Sequence, residues 1–484
     1  MSFSSSRSDP VPFAVCRVIF LECQSVSVRK LQTLKGFRDF TPETMLLRQR
    51  VIAIFRSVFE RHGYEPIDTP VLEYMEVLSG KAGENEKLMY GFRDRGDREV
   101  GLRYDLTVPL ARFVAMHQNE IVMPFKRYHI APVWRAENPQ RGRFREFWQC
   151  DADIVGSPSM LADAESIGVL VDALHEVNLS GAVVSINHRG LLRALAEVAG
   201  IPGEQAGLAY RAIDKLGKIG PDGVRAELVA AGSTDASATR VLDLITATGT
   251  PDELLDEAGR SLEGVEGGGE AVAELRELVG FVEAHGVPRS AWKVDLSLAR
   301  GIDYYTGPVY EAIVDEPKIG SVAGAGRYDG LIGTFLGRDV PATGMSLGFE
   351  RILEVIQEFD LLSVPRSAVD VFVPVFAETL ATASHTAREL RQRGIATDLS
   401  VQLNRNLGDQ LKFAARRGIP FAVIIGSEEL DRGIARVRNL ASGAQDDVPL
   451  AVLEMEISML IENFRERSGV EAPVSTNDRA NHGG

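Results

Sequence analysis

Apolar residues recur at helical spacing in the segment that follows Thr41. Thr41 is a typical capping residue, Pro42 suits the first position of a helix, and Gly63 is a typical terminator. The stripe consists of Leu47, Val51, Ile54, Phe55, Val58 and Phe59. Because residues three and four apart lie on one face of a helix, this spacing predicts a helix that packs against the protein interior.

Three later segments alternate apolar and polar residues with a period of two. They cover positions 100–107, 125–134 and 143–154, and the alternation predicts strands with one apolar and one polar face. Solvent exposure explains the polar face of a single strand equally well. For three such strands side by side, a recessed site that binds a zwitterion and a phosphate becomes a competing explanation. The polar positions are Arg103, Asp105, Thr107, Arg127, His129, Arg143, Arg145, Gln149, Asp151 and Asp153.

The same patterns predict how the chain is divided. A stretch rich in Ala, Leu, Glu and Asp interrupts the strand-like region, and a later stretch alternates strand-like and helical segments as βαβαβ with a largely parallel sheet. The predicted units are a disordered extension (1–30), a strand-rich α+β domain in two parts (31–190 and 291–362), a helical insertion (191–290), an α/β domain (368–467) and a disordered tail (468–484).

Composition narrows the class of protein. With 45% hydrophobic and 25% charged residues, and no run approaching the ~18 apolar residues of a membrane span, the sequence predicts a soluble cytoplasmic protein without a membrane partner. Its three cysteines, Cys16, Cys23 and Cys150, lack zinc-type spacing and fit the reducing cytosol. The net charge of −15 argues against indiscriminate coating of nucleic acid.

A local cationic strip nevertheless lies within this acidic chain. It sets six cations against the single acid Glu137, a pattern that suits an anionic ligand, although a solvated loop is the more common origin of a charge run. The cations are Lys126, Arg127, Arg135, Arg141, Arg143 and Arg145.

Glycine spacing excludes two common nucleotide-binding motifs. The sequence has no G-x-x-x-x-G-K-[ST], and Gly324, Gly326 and Gly330 miss the G-x-G-x-x-G spacing. What remains is an antiparallel-looking sheet with arginines at its strand ends, which can hold a nucleoside triphosphate through guanidinium groups.

Several long motifs resemble those of one family. FKRYHIAPVWRAENPQRGRFREFWQCDADIVG (125–156) resembles the second signature motif of class II aminoacyl-tRNA synthetases in the form found in histidyl-tRNA synthetases. TGMSLGFERI (343–352) is similar to the third motif, with its glycines expected at a turn before a helix. LARGIDYYTGP (298–308) and GAGRYDG (324–330) are similar to the two histidine-specific motifs, and LRYDLTVPLARF (102–113) matches the family again. The resemblance covers about 31–467.

The resemblance implies a class II synthetase fold, with a catalytic domain built on a mainly antiparallel sheet and a C-terminal anticodon-binding domain. It also implies a histidine site. Asp105, Thr107 and Gln149 would hold the ammonium and carboxylate groups. The imidazole would lie between Asp153 and Tyr305, because it needs a hydrogen-bond partner at each nitrogen. Tyr304 and Tyr328 would line this pocket.

An ATP site is implied in the same way. Arg135 and Arg300 would hold the α-phosphate as the catalytic residues and would also contact histidine. Phe147 and Arg351 would enclose the adenine, and Arg143 would reach the outer phosphates. Histidine would attack the α-phosphorus to form histidyl-adenylate, with Mg²⁺ bridging the β- and γ-phosphates through ligands that the sequence does not identify.

The implied partners are L-histidine, tRNA(His) and a second copy of the chain. The predicted helix that follows Thr41 falls in the region of the dimer-forming first motif, and loop 136–142 is expected to meet the tRNA acceptor stem. The candidate RNA contacts of the last domain are Arg405, Lys412, Arg416 and Arg417. A solvated helix surface explains these four residues equally well.

Other interpretations stay open at this point. Taken singly, each tyrosine could be a core aromatic and each arginine a surface residue, and only the joint match favours a site. A regulatory paralogue from histidine biosynthesis would lack the last domain. A synthetase for threonine, proline or glycine would lack the RGIDYY and GRYDG stretches, and a non-enzymatic binding module would not need Arg135, Arg300 and Arg351.

Overall fold

A computed structural model of the chain describes residues 31–79, 83–299 and 304–468. The predicted extension at 1–30 and the predicted tail beyond 468 lie outside the described residues, as does Arg300.

Strands and short helices build the first part of the chain. In chain order they are α1 (Pro42–Arg61), β1 (Glu65–Pro66), β2 (Leu72–Tyr74), α2 (Met75–Leu78), β3 (Gly91–Arg93), β4 (Glu99–Leu102), α3 (Thr107–Met116), β5 (Phe125–Trp134), β6 (Glu146–Val155), α4 (Met160–Glu176) and β7 (Val183–His188).

A helical segment follows, and the chain then returns to strands. The helices are α5 (Arg189–Val198), α6 (Ala206–Asp214), α7 (Leu216–Ala230), α8 (Asp235–Ile245), α9 (Pro251–Ser261) and α10 (Gly268–Ala284). The returning elements are β8 (Trp292–Val294), β9 (Pro308–Ile313), β10 (Ser321–Arg327), α11 (Asp329–Leu336), β11 (Ala342–Gly348) and α12 (Phe349–Phe359).

The C-terminal part alternates strands and helices. Its elements are β12 (Val371–Val373), α13 (Leu380–Gln392), β13 (Thr397–Leu399), α14 (Leu407–Arg416), β14 (Phe421–Ile424), α15 (Ser427–Asp431), β15 (Ile434–Asn439), β16 (Gln445–Pro449) and α16 (Leu453–Ser468).

Among the described residues, the largest sheet has eight strands in the order β1-β5-β6-β11-β10-β9-β7-β8. The two outer pairs, β1 with β5 and β7 with β8, are parallel, and the pairings between them are antiparallel. The predicted mainly antiparallel sheet is therefore confirmed. A separate antiparallel sheet has the order β2-β4-β3.

Helix α1 covers one face of the large sheet. Its predicted stripe is buried together with Tyr128, Cys150, Ala152 and Ile154, the apolar sides of β5 and β6. The predicted boundaries agree, since Thr41 is the extended residue before the helix and Gly63 takes a left-handed φ of 76° after it. Because the apolar side of β5 and β6 faces this core, their polar side lies on the opposite face of the sheet.

The predicted strand at 100–107 is wrong in its second half. Strand β4 ends at Leu102, and Thr107 already begins α3. Asp105 Oδ1 accepts a hydrogen bond from the backbone N–H of Val108 at 3.1 Å, which satisfies an otherwise unpaired donor in the first turn. The chain therefore turns into a helix after β4, and β4 lies in the small sheet instead of beside β5 and β6.

The glycine-rich motifs also differ from expectation. Gly344, expected at a turn, lies within β11 opposite Asp153, and the turn into α12 falls only after Gly348. The stretch around Gly324 is strand β10, paired on both sides. An added Cβ atom would lie 2.8 Å from the Pro308 carbonyl oxygen at Gly326 and 2.0 Å from Asp153 Oδ1 at Gly344, so larger side chains do not fit at these two positions.

The C-terminal part has a hydrophobic core of its own, formed by residues such as Val371, Val423 and Ile457. Its sheet order is β13-β12-β14-β15-β16. The first three strands are parallel as predicted, whereas β14, β15 and β16 pair antiparallel. The largely parallel prediction missed this final hairpin because the outer strand, QDDVP, is too polar to read as a strand.

Candidate active site

A cavity of about 580 Å³ opens on the polar side of the large sheet, over β6, β9, β10 and β11. Every predicted site residue within the described part of the chain lines it. These residues are Asp105, Thr107, Arg135, Arg143, Phe147, Gln149, Asp153, Tyr304, Tyr305, Tyr328 and Arg351. The position of Arg300 lies outside the described residues, so its predicted role stays a prediction.

The floor of the cavity is the polar face of β6. Gln149, Asp151 and Asp153 alternate along this strand, and all three are buried. Gln149 Nε2 donates to Ser346 Oγ at 2.8 Å on the neighbouring strand β11. Because this face is buried, solvent exposure does not explain the alternation seen in the sequence, and the recessed arrangement is confirmed.

Three tyrosines enclose one end of the floor. The ring centroids of Tyr304 and Tyr305 are 5.1 Å apart, those of Tyr304 and Tyr328 are 5.8 Å apart, and both pairs meet edge to face. The Tyr328 hydroxyl donates to Asp153 Oδ1. An acid and aromatic rings thus form one compact pocket, of the kind that can hold a flat polar ring.

Arg327 fixes the position of Tyr328. Its guanidinium is buried and pairs with Asp163, with Nε 3.0 Å from Oδ2. It also donates to the carbonyl oxygens of Ser157 and Ser159 at 3.1 and 3.0 Å. The sequence motif GRYDG therefore combines an anchoring arginine with a tyrosine that faces the cavity.

Asp105 and Thr107 reach the cavity from the turn between β4 and α3. Burial raises the pKa of Asp105 to about 6, against the lowering effect of its hydrogen bond to the Val108 N–H and of Arg135 and Arg127. Asp105 Oδ2 and Gln149 Oε1 are buried without a hydrogen-bond partner among the described residues. Two buried acceptors without donors suit a ligand that supplies N–H groups.

Arginines and Phe147 form the other end of the cavity. Arg135 Nε donates to the Tyr104 carbonyl at 2.9 Å, and its guanidinium carbon lies 5.2 Å from the centroid of the Phe147 ring. Arg143 is exposed at the cavity mouth, 3.6 Å from a carboxylate oxygen of Glu137. Arg351 donates to the carbonyl of Ser321. Guanidinium groups beside an aromatic ring form a suitable surface for an anion with a planar base.

Most of the cationic strip does not serve an anionic ligand. Lys126 pairs with Glu165 at 2.7 Å, Arg127 with Asp153 at 2.6 Å, and Arg141 with Glu354 and Glu358. Arg145 donates to backbone carbonyls. Acids distant in sequence neutralise these cations, and only Arg135 and Arg143 of the strip line the cavity.

The comparisons with known proteins agree with this geometry. The family model for histidyl-tRNA synthetase matches residues 36–352, and the model for an anticodon binding domain matches residues 370–462. The chain belongs to the histidyl-tRNA synthetase family.

Relatives in this family are similar over nearly their whole length. The histidine--tRNA ligase of Aeropyrum pernix is 44% identical over 438 residues, which cover 88% of this chain and 98% of the relative. That of Rhodopirellula baltica is 41% identical over 86% of this chain and 95% of the relative. The crystal structure of histidyl-tRNA synthetase from Nostoc sp. PCC 7120 has a TM-score of 0.79 at 33% identity, covering 89% of this chain and 99% of that one.

The family, the class II fold with its anticodon-binding domain, and the ligase class predicted from the sequence are thereby confirmed. Among residues 31–79, 83–299 and 304–468, no helix has the length and apolar character needed to cross a lipid bilayer.

Several cavity residues of this family member were not singled out from the sequence. Asp151, which the sequence places on a polar strand face without a predicted role, lines the cavity floor. Asp214 and Lys218 reach the cavity from the end of α6 and from α7, and Glu311 does so from β9. The strict alternation along β6 could have identified Asp151. No local pattern identifies Asp214 and Lys218, because only tertiary packing brings the helical insertion to the cavity.

Proposed function

We propose that this chain activates L-histidine with ATP and transfers the histidyl group to the 3′ end of tRNA(His), releasing pyrophosphate and AMP. One observation carries the proposal. The three groups of residues expected for an amino acid, an imidazole and a nucleotide line one cavity on a buried polar sheet face, in a chain of the histidyl-tRNA synthetase family.

The histidine site that we propose has one part for the ammonium group and another part for the imidazole ring. The ammonium group donates to the unpaired acceptors Asp105 Oδ2 and Gln149 Oε1, and Thr107 lies beside Asp105. Asp153 and Tyr305 bind the two imidazole nitrogens between the rings of Tyr304 and Tyr328. A site that satisfies both nitrogens rejects analogues that lack them by roughly 10⁴–10⁵-fold, so it needs no editing domain.

The nucleotide lies toward the arginines in this proposal. Arg135 holds the α-phosphate together with Arg300, Phe147 and Arg351 enclose the adenine, and Arg143 contacts the outer phosphates. The histidine carboxylate attacks the α-phosphorus in line, pyrophosphate leaves, and the 3′-terminal adenosine of the tRNA then attacks the resulting adenylate. Such transfers depend mainly on positioning and on charge stabilisation, which fixed guanidinium groups provide.

A magnesium ion bound with ATP would neutralise the charge of its outer phosphates in the proposed reaction. Mg²⁺ in such sites takes one or two carboxylates with the substrate phosphates. The carboxylates of Glu137 and Glu311 line the cavity and fit this donor set. No cluster of three or more metal-binding side chains is present in the described part of the chain, so the ion would depend on ATP for its remaining ligands.

The remaining partners also belong to the proposal. Candidate anticodon contacts are four exposed residues before, on and directly after α14, namely Arg405, Lys412, Arg416 and Arg417. Two of them have acidic neighbours, since Arg417 pairs with Asp398 and Lys412 lies 4.0 Å from Asp409. Loop 136–142 is a candidate contact of the acceptor stem. The homodimer and the cytoplasmic location stay predictions from the sequence.

Amino-acid-dependent ATP–pyrophosphate exchange tests the proposal. We expect exchange with histidine alone among the twenty amino acids. Arg135→Ala should lower it on the order of 10²–10³-fold, as for loss of one preorganised donor. Arg93→Ala, which removes an exposed arginine paired with Glu99, is the control and should leave exchange unchanged. Stimulation by another amino acid would contradict the proposed pocket.

A further inference from the structure

Arg127 lies beside the cavity floor, near the start of β5 and directly opposite Asp153 of β6. Its side chain is completely buried, with 0% of its surface exposed. Its Nη2 atom lies 2.6 Å from Asp153 Oδ2 and 3.4 Å from the Leu106 carbonyl oxygen. The side chain does not line the cavity, so it acts on a ligand only through its neighbours.

Three carboxyl groups surround this guanidinium. Asp105, Asp151 and Asp153 are each at most 2% exposed. Burial raises the pKa of all three, to about 6 for Asp105 and about 7 for Asp151, and Arg127 opposes the increase in each case. Since a buried carboxylate without a countercharge is strongly disfavoured, Arg127 decides how far this floor can ionise.

Asp153 is held at both of its oxygens. Tyr328 donates to Oδ1, and Arg127 pairs with Oδ2. Each carboxylate oxygen offers two lone pairs, so both retain an acceptor site for a ligand. Gly344, directly opposite on β11, leaves room for the carboxyl group. The orientation of Asp153 is thus set by Tyr328 at one oxygen and by Arg127 at the other.

We infer that Arg127 is a positioning residue for histidine recognition, holding the Asp153 carboxylate ionised and oriented toward the imidazole. The inference rests on the proposed function, in which Asp153 binds that ring. In this inference Arg127 contributes to the binding of histidine, whereas the binding of ATP at the other end of the cavity does not depend on Arg127. The titratable and charged groups that face Asp153 are Arg127 on β5, Asp151 on β6, Tyr64 before β1, Tyr305 before β9 and Tyr328 after β10.

Arg127→Met and Arg127→Lys test this role in histidine-dependent ATP–pyrophosphate exchange. Arg127→Met should raise the histidine KM on the order of 10–100-fold, as for loss of a charge-assisted hydrogen bond, with the ATP KM unchanged. Its kcat/KM for histidine should also begin to fall at a higher pH on the acidic side, because the Asp153 carboxyl would protonate more readily without the cation.

Arg127→Lys keeps the charge but loses the planar fork. We expect its kcat/KM for histidine to fall on the acidic side at nearly the same pH as that of the wild type. Its histidine KM should lie between the values of the wild type and of Arg127→Met. Free histidine also titrates in this pH range, but it does so identically in all three experiments, so a difference between variants belongs to the protein.

The outcomes separate the two proposals. Absence of histidine-stimulated exchange in the wild type would contradict the proposed function itself. An active wild type with an unchanged histidine KM and pH profile in Arg127→Met would contradict only the role of Arg127, as would equal changes in the histidine and ATP KM values. If Arg127→Met does not fold, Arg127→Lys decides alone, and a histidine KM equal to that of the wild type would overturn the inference.

Discussion

Asp153 has little space around it, and a glycine on the next strand provides that space. Gly344 pairs with Asp153 in the register of β6 and β11. A Cβ atom built on Gly344 would lie 2.0 Å from Asp153 Oδ1 and 2.9 Å from the carbonyl oxygen of Ala152. The carboxyl group could move aside but the backbone carbonyl could not, so only glycine fits at this position.

Gly344→Ala should therefore displace the Asp153 carboxylate. We expect a loss of about 1–3 kcal/mol in the free energy of unfolding from overpacking, and a raised histidine KM. Urea unfolding and pyrophosphate exchange measure the two effects. Gly280→Ala at an exposed position of α10, where a new Cβ meets nothing within 4 Å, is the control and should be neutral or stabilising. Equal behaviour of the two variants would contradict the packing argument.

At the scale of elements, a buried ion pair joins the first helix to the last helix of the large sheet. Glu350, in the first turn of α12, accepts from Arg48 of α1 through two bonds of 2.8 Å and from Arg38 at 2.6 Å. Arg48 also lies over the Phe40 and Phe349 rings, at 4.1 and 4.7 Å. Elements some 300 residues apart are thus held in one arrangement around the cavity.

Glu350→Gln should leave two arginines without their countercharge. We expect a loss of about 3–5 kcal/mol in the free energy of unfolding, as for a broken buried pair. The matched control is Glu99→Gln, whose partner Arg93 is exposed, with an expected loss of at most about 1 kcal/mol. Urea unfolding at neutral pH compares the two variants.

The difference in stability between the wild type and Glu350→Gln should depend on pH. Burial acts to raise the pKa of Glu350, but the bonds from Arg48 and Arg38 outweigh it and the pKa is lowered. A carboxyl whose folded pKa is depressed stabilises the protein above its unfolded pKa, and this stabilisation is lost as pH falls through the folded value. The difference between wild type and Glu350→Gln should therefore narrow in acid. A constant difference would contradict the ion-pair explanation.

At the scale of the whole molecule, two hydrophobic cores are separate. The first joins the large sheet to α1, α4 and the helices of the insertion, and it includes Leu192, Leu255 and Val279. The second belongs to the C-terminal sheet and its helices. The helical insertion therefore shares a core with the sheet it interrupts, whereas the last part of the chain buries its apolar residues by itself.

Truncation tests this division. Residues 31–366 should retain histidine-dependent pyrophosphate exchange, while kcat/KM for tRNA charging should fall on the order of 10²–10⁴-fold because one of two linked RNA-binding modules is lost. Residues 368–468 alone should unfold cooperatively, as followed by circular dichroism. Loss of exchange in a folded 31–366 protein would show that the two units depend on each other.

The sequence by itself determined α1, β5, β6 and the motifs that identify the family. These features are local, because helical spacing, strand alternation and long motifs are legible within one segment. The candidate site residues came with the motifs, and those within the described residues meet in one cavity. Their individual roles stay predictions, and that of Arg300 lies outside the described residues.

Only the tertiary structure decided where charges find their partners. The strip from Lys126 to Arg145 has a pattern that suits an anionic ligand, yet acids outside the strip pair with three of its six cations, Lys126, Arg127 and Arg141. Asp105 accepts a hydrogen bond from the first turn of α3, and Lys218 reaches the cavity from the insertion. Such pairings depend on which surfaces pack together after the chain has folded, so no periodicity within a single segment can specify them.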